Sequence, residues 1–287
     1  MRLARLLDPL APAASQIFWG LIDARAETAR PIAGAFQSWA PAVTRGEGEA
    51  ALRFCGEARP LAGLRFLAPV EKTNRVVVAG ANYAKHLVEF GVAAPSQPIA
   101  FLKAYGALIG AYDNIQYPLL TNELDYEVEL VVVIGAEKIN RDDPLSSVLG
   151  YTVGNDVSAR DLQRSGPKGI GMDLFAAKSQ DKTTAVGPWI VTRDEFPQGS
   201  PQLRLTMKVN NETRQDGNTG NMTWNVQQLL KFVDERSSFE CGDILFTGTP
   251  EGVGQTSGRY LQPGDSVEAE IEKIGVLRNV VGPRQMR

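Results

Sequence analysis

Hydrophobic and polar residues alternate strictly in several short segments of this chain, and the alternation predicts β-strands. Residues 203–209 (LRLTMKV) place leucine, methionine and valine at every second position, between arginine, threonine and lysine. A period of two residues is typical of a strand with one buried and one solvated face. Asn210 and Asn211 follow directly and favour a tight turn, so we expect a hairpin that returns through residues 212–215.

The same reasoning predicts further strands and one clear helix. Residues 266–275 (SVEAEIEKIG) alternate apolar and polar positions after a Pro-Gly-Asp turn. Residues 76–81 (VVVAGA) are apolar without interruption, which predicts a short buried strand. In the helix, apolar residues follow the spacing i, i+3, i+4 and i+7, and Asn225 or Thr223 is the predicted N-cap. The apolar positions of this helix are Val226, Leu229, Leu230 and Val233.

Strands outnumber helices along the chain and do not alternate regularly with them, which argues against a doubly wound α/β fold. The pattern predicts a β-rich α+β fold, a sandwich or roll with a few helices. Residues 1–70 are rich in alanine, arginine and proline, with short apolar runs, and we expect a small N-terminal domain there. Residues 71–75 (EKTNR) are the predicted junction, and residues 71–287 form the larger domain.

Composition narrows the class of protein without identifying it. The chain has 287 residues, 43% hydrophobic and 22% charged, with a net charge of −3. No basic field therefore argues for a nucleic acid or an anionic membrane as partner. Two cysteines far apart in sequence suit a reducing cytoplasm. Asp8 and Pro9 interrupt the N-terminal apolar run, so we read no signal peptide, and no apolar run approaches the roughly 18 residues of a membrane span.

Three carboxylates stand close together in residues 124–135 (LDYEVELVVVIG). In a strand, Asp125, Glu127 and Glu129 share one face, and the strand continues as a segment that is apolar on both faces. Alternating acidic residues usually mark a solvated face. If they point inward, a positive charge must hold them together, and Mg²⁺ or Ca²⁺ accepts such oxygen ligands.

A third ligand for such an ion is available in residues 150–163 (GYTVGNDVSARDLQ). Residues 150–153 read as a strand, followed by a turn and then Asp156, which is either a metal ligand or the cap of a helix. If the helix continues from this cap, Asp156, Arg160 and Gln163 share one face. A guanidinium and an amide beside a metal ion suit a carboxylate or an α-keto acid.

Candidate catalytic groups lie elsewhere in the chain. His86 is the single histidine, and Glu89 shares a helical face with it, so the carboxylate can orient the imidazole as a general base. The alternative is a surface histidine on a short helix. Lys178 is expected on a strand that follows a glycine-rich loop, as an active-site cation or as a solvated charge. In residues 244–254 (ILFTGTPEGVG), backbone N–H groups and the hydroxyls of Thr247 and Thr249 suit a carboxylate, although a plain turn has the same composition.

These segments occur in an order that resembles the fumarylacetoacetate hydrolase family. The resemblance spans roughly residues 74–281 and rests on NYAKHLVE, FLKAYGALIG, LDYEVELVVVIG, GYTVGNDVSARDLQ, AAKSQDKTTAVGPW and TGTPEGVG. Residues 1–70 resemble the variable N-terminal domain of bacterial members more weakly. The resemblance implies a mixed β-sandwich roll, a homodimer in the cytoplasm, and a bound Mg²⁺, with Mn²⁺ or Ca²⁺ as alternatives.

The resemblance also implies a role for individual residues. The metal ligands are Glu127, Glu129 and Asp156, the catalytic residues are His86, Glu89 and Lys178, and the substrate-binding residues are Arg160, Gln163 and Thr249. The chain departs from the family pattern in the loop 164–174 and at Lys182, which we expect to be a second cation for an acidic or sugar-derived substrate.

The implied activity is hydrolysis of a C–C bond in a 2,4-diketo acid, either an acylpyruvate or a sugar-derived 2,4-diketo-3-deoxy acid, to pyruvate and a carboxylic acid. His86, oriented by Glu89, activates water, and Lys178 stabilises an oxyanion. The same site also suits an oxaloacetate-type decarboxylase or a keto–enol isomerase. A non-catalytic dimer that binds a dicarboxylate is the alternative from another class. The pair His86 and Glu89 favours the hydrolase.

Overall fold

The computed structural model describes residues 1–285 except residues 92, 94, 170 and 198. The strands are β1 Arg2–Leu7, β2 Ile17–Asp23, β3 Thr28–Ile32, β4 Arg59–Pro60, β5 Arg65–Leu67, β6 Val76–Gly80, β7 Ile99–Lys103, β8 Leu108–Ile109, β9 Ile115–Tyr117, β10 Leu124–Asp125, β11 Val128–Ile134, β12 Val148–Asn155, β13 Ser158–Ala159, β14 Thr184–Thr192, β15 Arg204–Val209, β16 Glu212–Asn218, β17 Ile244–Phe246, β18 Ser266–Ile271 and β19 Gly275–Arg284. The α-helices are α1 Phe36–Ala42, α2 Ala84–Glu89, α3 Arg160–Gln163, α4 Leu174–Lys178, α5 Val226–Asp234 and α6 Gly254–Ser257.

Three sheets organise the part of the chain that the structure describes. The largest has 12 strands, with the main order β4-β3-β2-β1-β14-β12-β11-β17-β6-β7, while β5 pairs with β1 and β8 pairs with β14. A 5-stranded sheet has the order β16-β15-β18-β19-β9, and β10 pairs with β13. Most neighbours are antiparallel, and the helices are short. The predicted β-rich α+β fold is confirmed.

The elements with the clearest periodicity form as predicted. Strands β15 and β16 make a hairpin around Asn210 and Asn211, both of which have positive φ, as a tight turn requires. Asn225, one of the two predicted N-caps, precedes α5, and its side chain accepts a hydrogen bond from the backbone N–H of Gln228. The Gln228 side chain in turn accepts from the N–H of Asn225, which completes a capping box.

Strand β11 lies between two hydrophobic cores. Leu130, Val132 and Ile134 pack into the first core, which contains the apolar side chains of the 5-stranded sheet. Val131 and Val133 point the other way, into a second core. The strand is therefore buried on both faces, as its uninterrupted apolar sequence predicts.

The second core is built largely from the N-terminal part of the chain. Trp19, Phe36 and Trp39 form an aromatic cluster there, with ring centroids 4.8 to 5.7 Å apart. Strand β1 pairs with β14, so residues 1–70 continue the large sheet of the remaining chain. The sheet and this core join the two parts of the chain, and the division at residue 70 stays a prediction.

The acidic segment is not one continuous strand, as the alternation had suggested. The chain leaves the large sheet between β10 and β11, at Tyr126 and Glu127, because β10 pairs with β13 while β11 pairs with β12. Asp156 lies at the equivalent break between β12 and β13, and its N–H donates to the carbonyl oxygen of Glu127. The two breaks place both acidic side chains at one point of the sheet.

In the described residues, no helix combines the length and the hydrophobicity that a bilayer span requires.

Candidate active site

A cavity of about 410 Å³ lies where β6 and β12 end and β11 begins. Strand β11 brings Glu129 to this end of the sheet on the same face as Val131 and Val133, so the second hydrophobic core continues directly into an acidic site. Most residues predicted for the site line this cavity, namely His86, Glu127, Glu129, Asp156, Arg160, Gln163, Lys178 and Thr249.

The three predicted metal ligands are close together and buried. One carboxylate oxygen from each of Glu127, Glu129 and Asp156 lies within 4.8 Å of the others. Their relative exposures are 5%, 1% and 0%. Oxygen donors at this separation suit a hard divalent cation such as Mg²⁺ or Mn²⁺.

Glu127 is the best compensated of the three. Lys178 Nζ donates to Glu127 Oε2 at 2.6 Å, and the Arg160 guanidinium donates to Oε1. Burial alone would raise the pKa of Glu127, but Lys178 and Arg160 outweigh it and lower this pKa to about 2. Glu127 is therefore ionised at any physiological pH.

Glu129 is the least compensated. Its Oε2 accepts a hydrogen bond from the backbone N–H of Gly248 at 2.7 Å. The ion pairs found among the described residues join Lys103, Lys178 and Arg160 to other carboxylates and not to Glu129. Burial raises the pKa of Glu129 well above its usual value, and the neighbouring carboxylates raise it further. A divalent cation would supply the missing positive charge, so the residues fit such an ion.

Asp156 contacts two lysines. Lys178 Nζ lies 2.7 Å from Oδ2, and Lys103 Nζ lies 2.7 Å from Oδ1. Lys103, at the end of β7, also donates to the hydroxyl of Thr184 at 2.9 Å. Burial lowers the pKa of Lys103, whereas for Lys178 the adjacent Asp156 and Glu127 outweigh burial and raise the pKa.

Sequence reasoning missed Lys103. Its strand reads IAFLK, and a lysine at a strand end usually lies in solvent. Only its membership of the segment FLKAYGALIG connected it with the site. In the structure its side chain is fully buried, so its charge balances Asp156 from inside the protein.

Asp125 is a neighbour of the acidic cluster and orients Arg160. Its Oδ2 accepts from Arg160 Nε at 2.8 Å, and its two oxygens accept from the backbone N–H groups of Gly254 and Gln255 at 2.7 and 3.0 Å. The guanidinium of Arg160 therefore bridges Asp125 and Glu127. Arg160 also donates to the side chain of Gln163 at 3.1 Å.

Asp156 does not cap the helix that carries Arg160 and Gln163, so the prediction of one shared helical face is wrong. Residues 158–159 are extended because they pair with β10, and the helix begins only at Arg160. The break in the sheet and the helix nevertheless bring the three side chains to the same cavity.

Lys178 is the last residue of helix α4 and not part of a strand. The helix is capped by Asp173, whose side chain accepts from the N–H of Ala176 at 2.8 Å. The helix points the Lys178 side chain inward to Glu127 and Asp156. The expected strand was wrong because five helical residues without a clear apolar period are hard to recognise.

His86 and Glu89 share a face of α2, as predicted. His86 Nδ1 lies 3.7 Å from Glu89 Oε2, and both oxygens of Glu89 accept from the N–H of Gly252 at 3.1 Å. Burial lowers the pKa of His86, so its imidazole is neutral at pH 7 and able to accept a proton. The interpretation as a surface histidine does not hold, since His86 is 9% exposed.

The loop after β17 binds carboxylates of the chain itself. Its N–H groups at Gly248, Gly252 and Gly254 donate to Glu129, Glu89 and Asp125. The hydroxyls of its two threonines, Thr247 and Thr249, donate to backbone carbonyls of β11. The backbone N–H groups therefore bind carboxylates as predicted, but these carboxylates belong to the chain itself, and the threonine hydroxyls do not contact them.

Lys182 lies outside the cavity that the other predicted substrate-binding residues line. It is exposed on a turn with a positive φ, four residues after Lys178, and it does not line the cavity. Glu89 likewise does not line the cavity, but it lies beside His86, which does.

Known proteins resemble this chain over most of its length. The family described as "Fumarylacetoacetate (FAA) hydrolase C-terminal" matches residues 75–282. Oxaloacetate tautomerase FAHD2A, mitochondrial, from Bos taurus is 39% identical over 226 residues, which are 77% of this chain and 71% of that protein. A 2,4-didehydro-3-deoxy-L-rhamnonate hydrolase from Sphingomonas sp. (strain SKA58) is 39% identical over 223 residues, 76% of each chain.

Two solved structures share the fold. The 5-carboxymethyl-2-hydroxymuconate delta-isomerase from Mycobacterium smegmatis has a TM-score of 0.80 at 32% identity and covers 99% of this chain and 100% of its own. Fumarylpyruvate hydrolase from Pseudomonas aeruginosa, in complex with Mn²⁺ and pyruvate, has a TM-score of 0.66 at 28% identity and covers 76% of this chain and 91% of its own.

Proposed function

The chain belongs to the fumarylacetoacetate hydrolase family, and on that premise we propose that it is a metal-dependent hydrolase that cleaves a C–C bond in a 2,4-diketo acid. The products are pyruvate and a carboxylic acid. Relatives named as hydrolases, a tautomerase and an isomerase support an enzyme of this family that acts on keto acids. The observation that carries the hydrolase is a buried histidine, 3.7 Å from a glutamate, that shares one cavity with an acidic cluster.

We propose that Glu127, Glu129 and Asp156 hold the metal ion, and Mg²⁺ is the ion that their oxygens favour, with Mn²⁺ or Ca²⁺ as substitutes. When bound, a divalent cation supplies positive charge that polarises a carbonyl group. Four carboxylates and three cationic side chains lie at the site. A divalent cation would therefore make the net charge of the site positive, which favours binding of an anionic keto acid. The carboxylates are Asp125, Glu127, Glu129 and Asp156, and the cations are Lys103, Arg160 and Lys178.

His86 is the general base in this proposal. It takes a proton from water, whose oxygen attacks the carbonyl carbon C4 of the substrate, and Glu89 stabilises the imidazolium that forms. The bond between C3 and C4 then breaks, its electron pair remains on C3 as the enolate of pyruvate, and C3 takes up the proton that His86 had accepted. Lys178 and Arg160 stabilise the negative charge that develops on oxygen.

Arg160, Gln163 and Thr249 are the proposed substrate-binding residues. Asp125 fixes the guanidinium of Arg160, which in turn fixes the amide of Gln163. The hydroxyl of Thr249 is held by Val128 and Gln215. Each group is thus oriented before a substrate arrives, which reduces the entropy lost on binding.

A keto–enol tautomerase is the second candidate, favoured by the 39% identity to a protein named oxaloacetate tautomerase. One neutral base such as His86 suffices to move a proton from carbon to oxygen, and no water needs to be activated. A homodimer in the cytoplasm and a decarboxylase activity stay predictions from the sequence.

The test uses purified protein and acetylpyruvate, with Mg²⁺ or Mn²⁺ and then with excess chelator. We expect the enol absorbance to disappear only with metal and the products to be pyruvate and acetate. His86→Ala should lower kcat by about 100-fold or more, as loss of a general base does. Metal-dependent tautomerisation of oxaloacetate without any cleavage of acetylpyruvate would instead assign the protein to the second candidate.

The dependence of kcat/KM on pH tests the role of His86 separately. A base must be unprotonated, and burial keeps the pKa of His86 below its usual value of 6.5. We therefore expect kcat/KM to fall as the pH is lowered from 8, with a midpoint below pH 6.5. An acid limb at or above pH 6.5 would contradict a buried, neutral base.

A further inference from the structure

The cavity has two chemically different walls. One carries the acidic cluster with its lysine and arginine partners, and the other is apolar. The apolar wall comes from four separate elements, namely β6, α2, β7 and α4. The side chains on which the inference rests are Val78, Leu87, Phe101 and Leu174, with Phe90 just beyond the end of α2.

Strand pairing explains why the wall is apolar. In the antiparallel pair β6 and β7, Val78 lies opposite Phe101, so both side chains are on one face of the sheet. Val78 belongs to the second hydrophobic core, and Phe101 packs against that core. Leu102, the next residue, points to the opposite face and is 61% exposed. The cavity is thus the open end of a hydrophobic core.

Gly80 adds space to this wall. It lines the cavity, and a Cβ atom built at this position would meet no atom within 4 Å. A group that extends from the acidic cluster along the sheet therefore finds room there between apolar side chains. Burying such a group releases water from apolar surface, which favours binding.

The charged residues of the cavity have partners already. Arg160 is paired with Asp125 and Glu127, and Lys178 with Glu127 and Asp156. Arg164, at the edge of the cavity, is paired with Glu123. Among the residues that the structure describes, a second carboxylate at the far end of a substrate would meet no lysine or arginine without a carboxylate partner in this cavity.

Hydroxyl groups on the far end of a substrate would also lack partners, because the polar side chains Gln163 and Thr249 already make hydrogen bonds and are the ones proposed to bind the keto acid end. The hydroxyl of Thr249 donates to a backbone carbonyl and accepts from Gln215. The amide oxygen of Gln163 accepts from Arg160, and its nitrogen contacts the sulfur of Met172 at 3.8 Å. A hydroxylated chain would give up hydrogen bonds to water without replacing them.

We propose that the substrate is an acylpyruvate with an apolar acyl group, alkyl or aryl, and that Phe101 and Leu174 select for it. The inference rests on the proposed function and narrows its substrate class. Sugar-derived diketo acids and acylpyruvates with a second carboxylate bind more weakly at the same site. Each methylene buried against the apolar wall raises kcat/KM about fourfold, which corresponds to about 0.8 kcal/mol per methylene.

The experiment compares kcat/KM, with saturating Mn²⁺, for acetyl-, butanoyl-, hexanoyl- and benzoylpyruvate against fumarylpyruvate and a hydroxylated 2,4-dioxo acid. We expect a rise from acetyl to hexanoyl, and values for the last two compounds at least about tenfold below that for butanoylpyruvate.

Variants on neighbouring residues of β7 assign the effect to the wall. Phe101→Ala should lower kcat/KM for hexanoyl- and benzoylpyruvate by about tenfold or more, and that for acetylpyruvate by less than about threefold. Leu102→Ala is the matched control on the opposite face and should leave all values unchanged. If Phe101→Ala does not fold, Leu174→Ala replaces it with the same expected selectivity.

Equal kcat/KM values along the acyl series, or a preference for fumarylpyruvate or the hydroxylated acid, would overturn this inference and leave the hydrolase proposal intact. Absence of cleavage for every 2,4-dioxo acid would overturn the proposed function and this inference with it.

Discussion

Glu129 and Asp243 are equally buried, at 1% exposure each, but their surroundings are opposite. Asp243 accepts from the backbone N–H of Arg75 at 2.8 Å, from the Arg75 guanidinium at 2.9 and 2.6 Å, and from the N–H of Glu240 at 2.9 Å. Glu129 accepts from Gly248 and stands beside two further carboxylates.

The difference distinguishes Asp243, whose partners stabilise the fold, from Glu129, which we propose binds a ligand. Burial of an ionised group costs free energy unless hydrogen bonds and an opposite charge replace water. The partners of Asp243 meet that cost, whereas those of Glu129 do not, and Glu129 faces a cavity large enough for a cation and a small acid. We propose that incomplete pairing beside a cavity identifies Glu129 as a metal ligand.

Amide substitutions at Glu129 and Asp243 are the strongest test of this difference. Glu129→Gln should lower kcat by about a thousandfold or more, equivalent to about 4 kcal/mol, because one proposed metal ligand loses its charge. The free energy of unfolding without metal should rise by about 1 kcal/mol, since the substitution removes an ionisable group whose charged form is disfavoured by burial and by the neighbouring carboxylates. Steady-state kinetics and urea unfolding measure the two quantities. Full activity of this variant would refute the ligand assignment.

Asp243→Asn should show the reverse. The guanidinium of Arg75 loses its anionic partner, and we expect the free energy of unfolding to fall by about 3 kcal/mol. Activity per folded molecule should be unchanged, because neither residue lines the active-site cavity. Urea unfolding measures the loss, and a variant as stable as the parent chain would mean that the pair contributes little.

Stabilisation by an added metal ion tests the same difference through ligand binding. At a hundredfold excess of Mn²⁺ over its Kd, the parent chain should gain about 2.7 kcal/mol of stability, observed as a higher Tm. Asp243→Asn should keep this gain, whereas Glu129→Gln should lose most of it. An equal gain in all three proteins would place the binding site elsewhere.

Lys182→Ala is expected to have the smallest effect. The sequence suggested a second cation for the substrate, but the side chain is exposed and outside the cavity. The KM for fumarylpyruvate should therefore stay within about twofold, as for most surface substitutions. A larger rise in KM would show that the turn at Lys182 approaches the bound substrate.

Local patterns predicted the elements of this fold that have the clearest periodicity. Strand β15 and helix α5 follow from their periodicity, and the Asn225 cap follows from local chemistry alone. The sequence also marked the acidic cluster, because three carboxylates next to an apolar strand are costly without a partner.

Local patterns could not predict contacts between segments that are distant in sequence. The break between β10 and β11 exists because the chain pairs with β13 before Tyr126 and with β12 after it. Burial of Lys103 depends on Asp156, 53 positions away in sequence (156 − 103 = 53). The helix at Lys178 is too short to reveal its period. Tertiary contacts decided each of these features.

Three glycines in the loop after β17 stand where a side chain would collide with neighbouring atoms. A Cβ at Gly248 would lie 2.8 Å from Asn82, at Gly252 2.2 Å from a backbone oxygen, and at Gly254 2.6 Å from Asp125. The contacts of these glycines to Glu129, Glu89 and Asp125 use the backbone alone, whereas Thr249 between them contributes its side chain. A protein engineer who wishes to transplant this centre into another scaffold must copy the glycines and their intervals first, and can then vary positions such as Glu251.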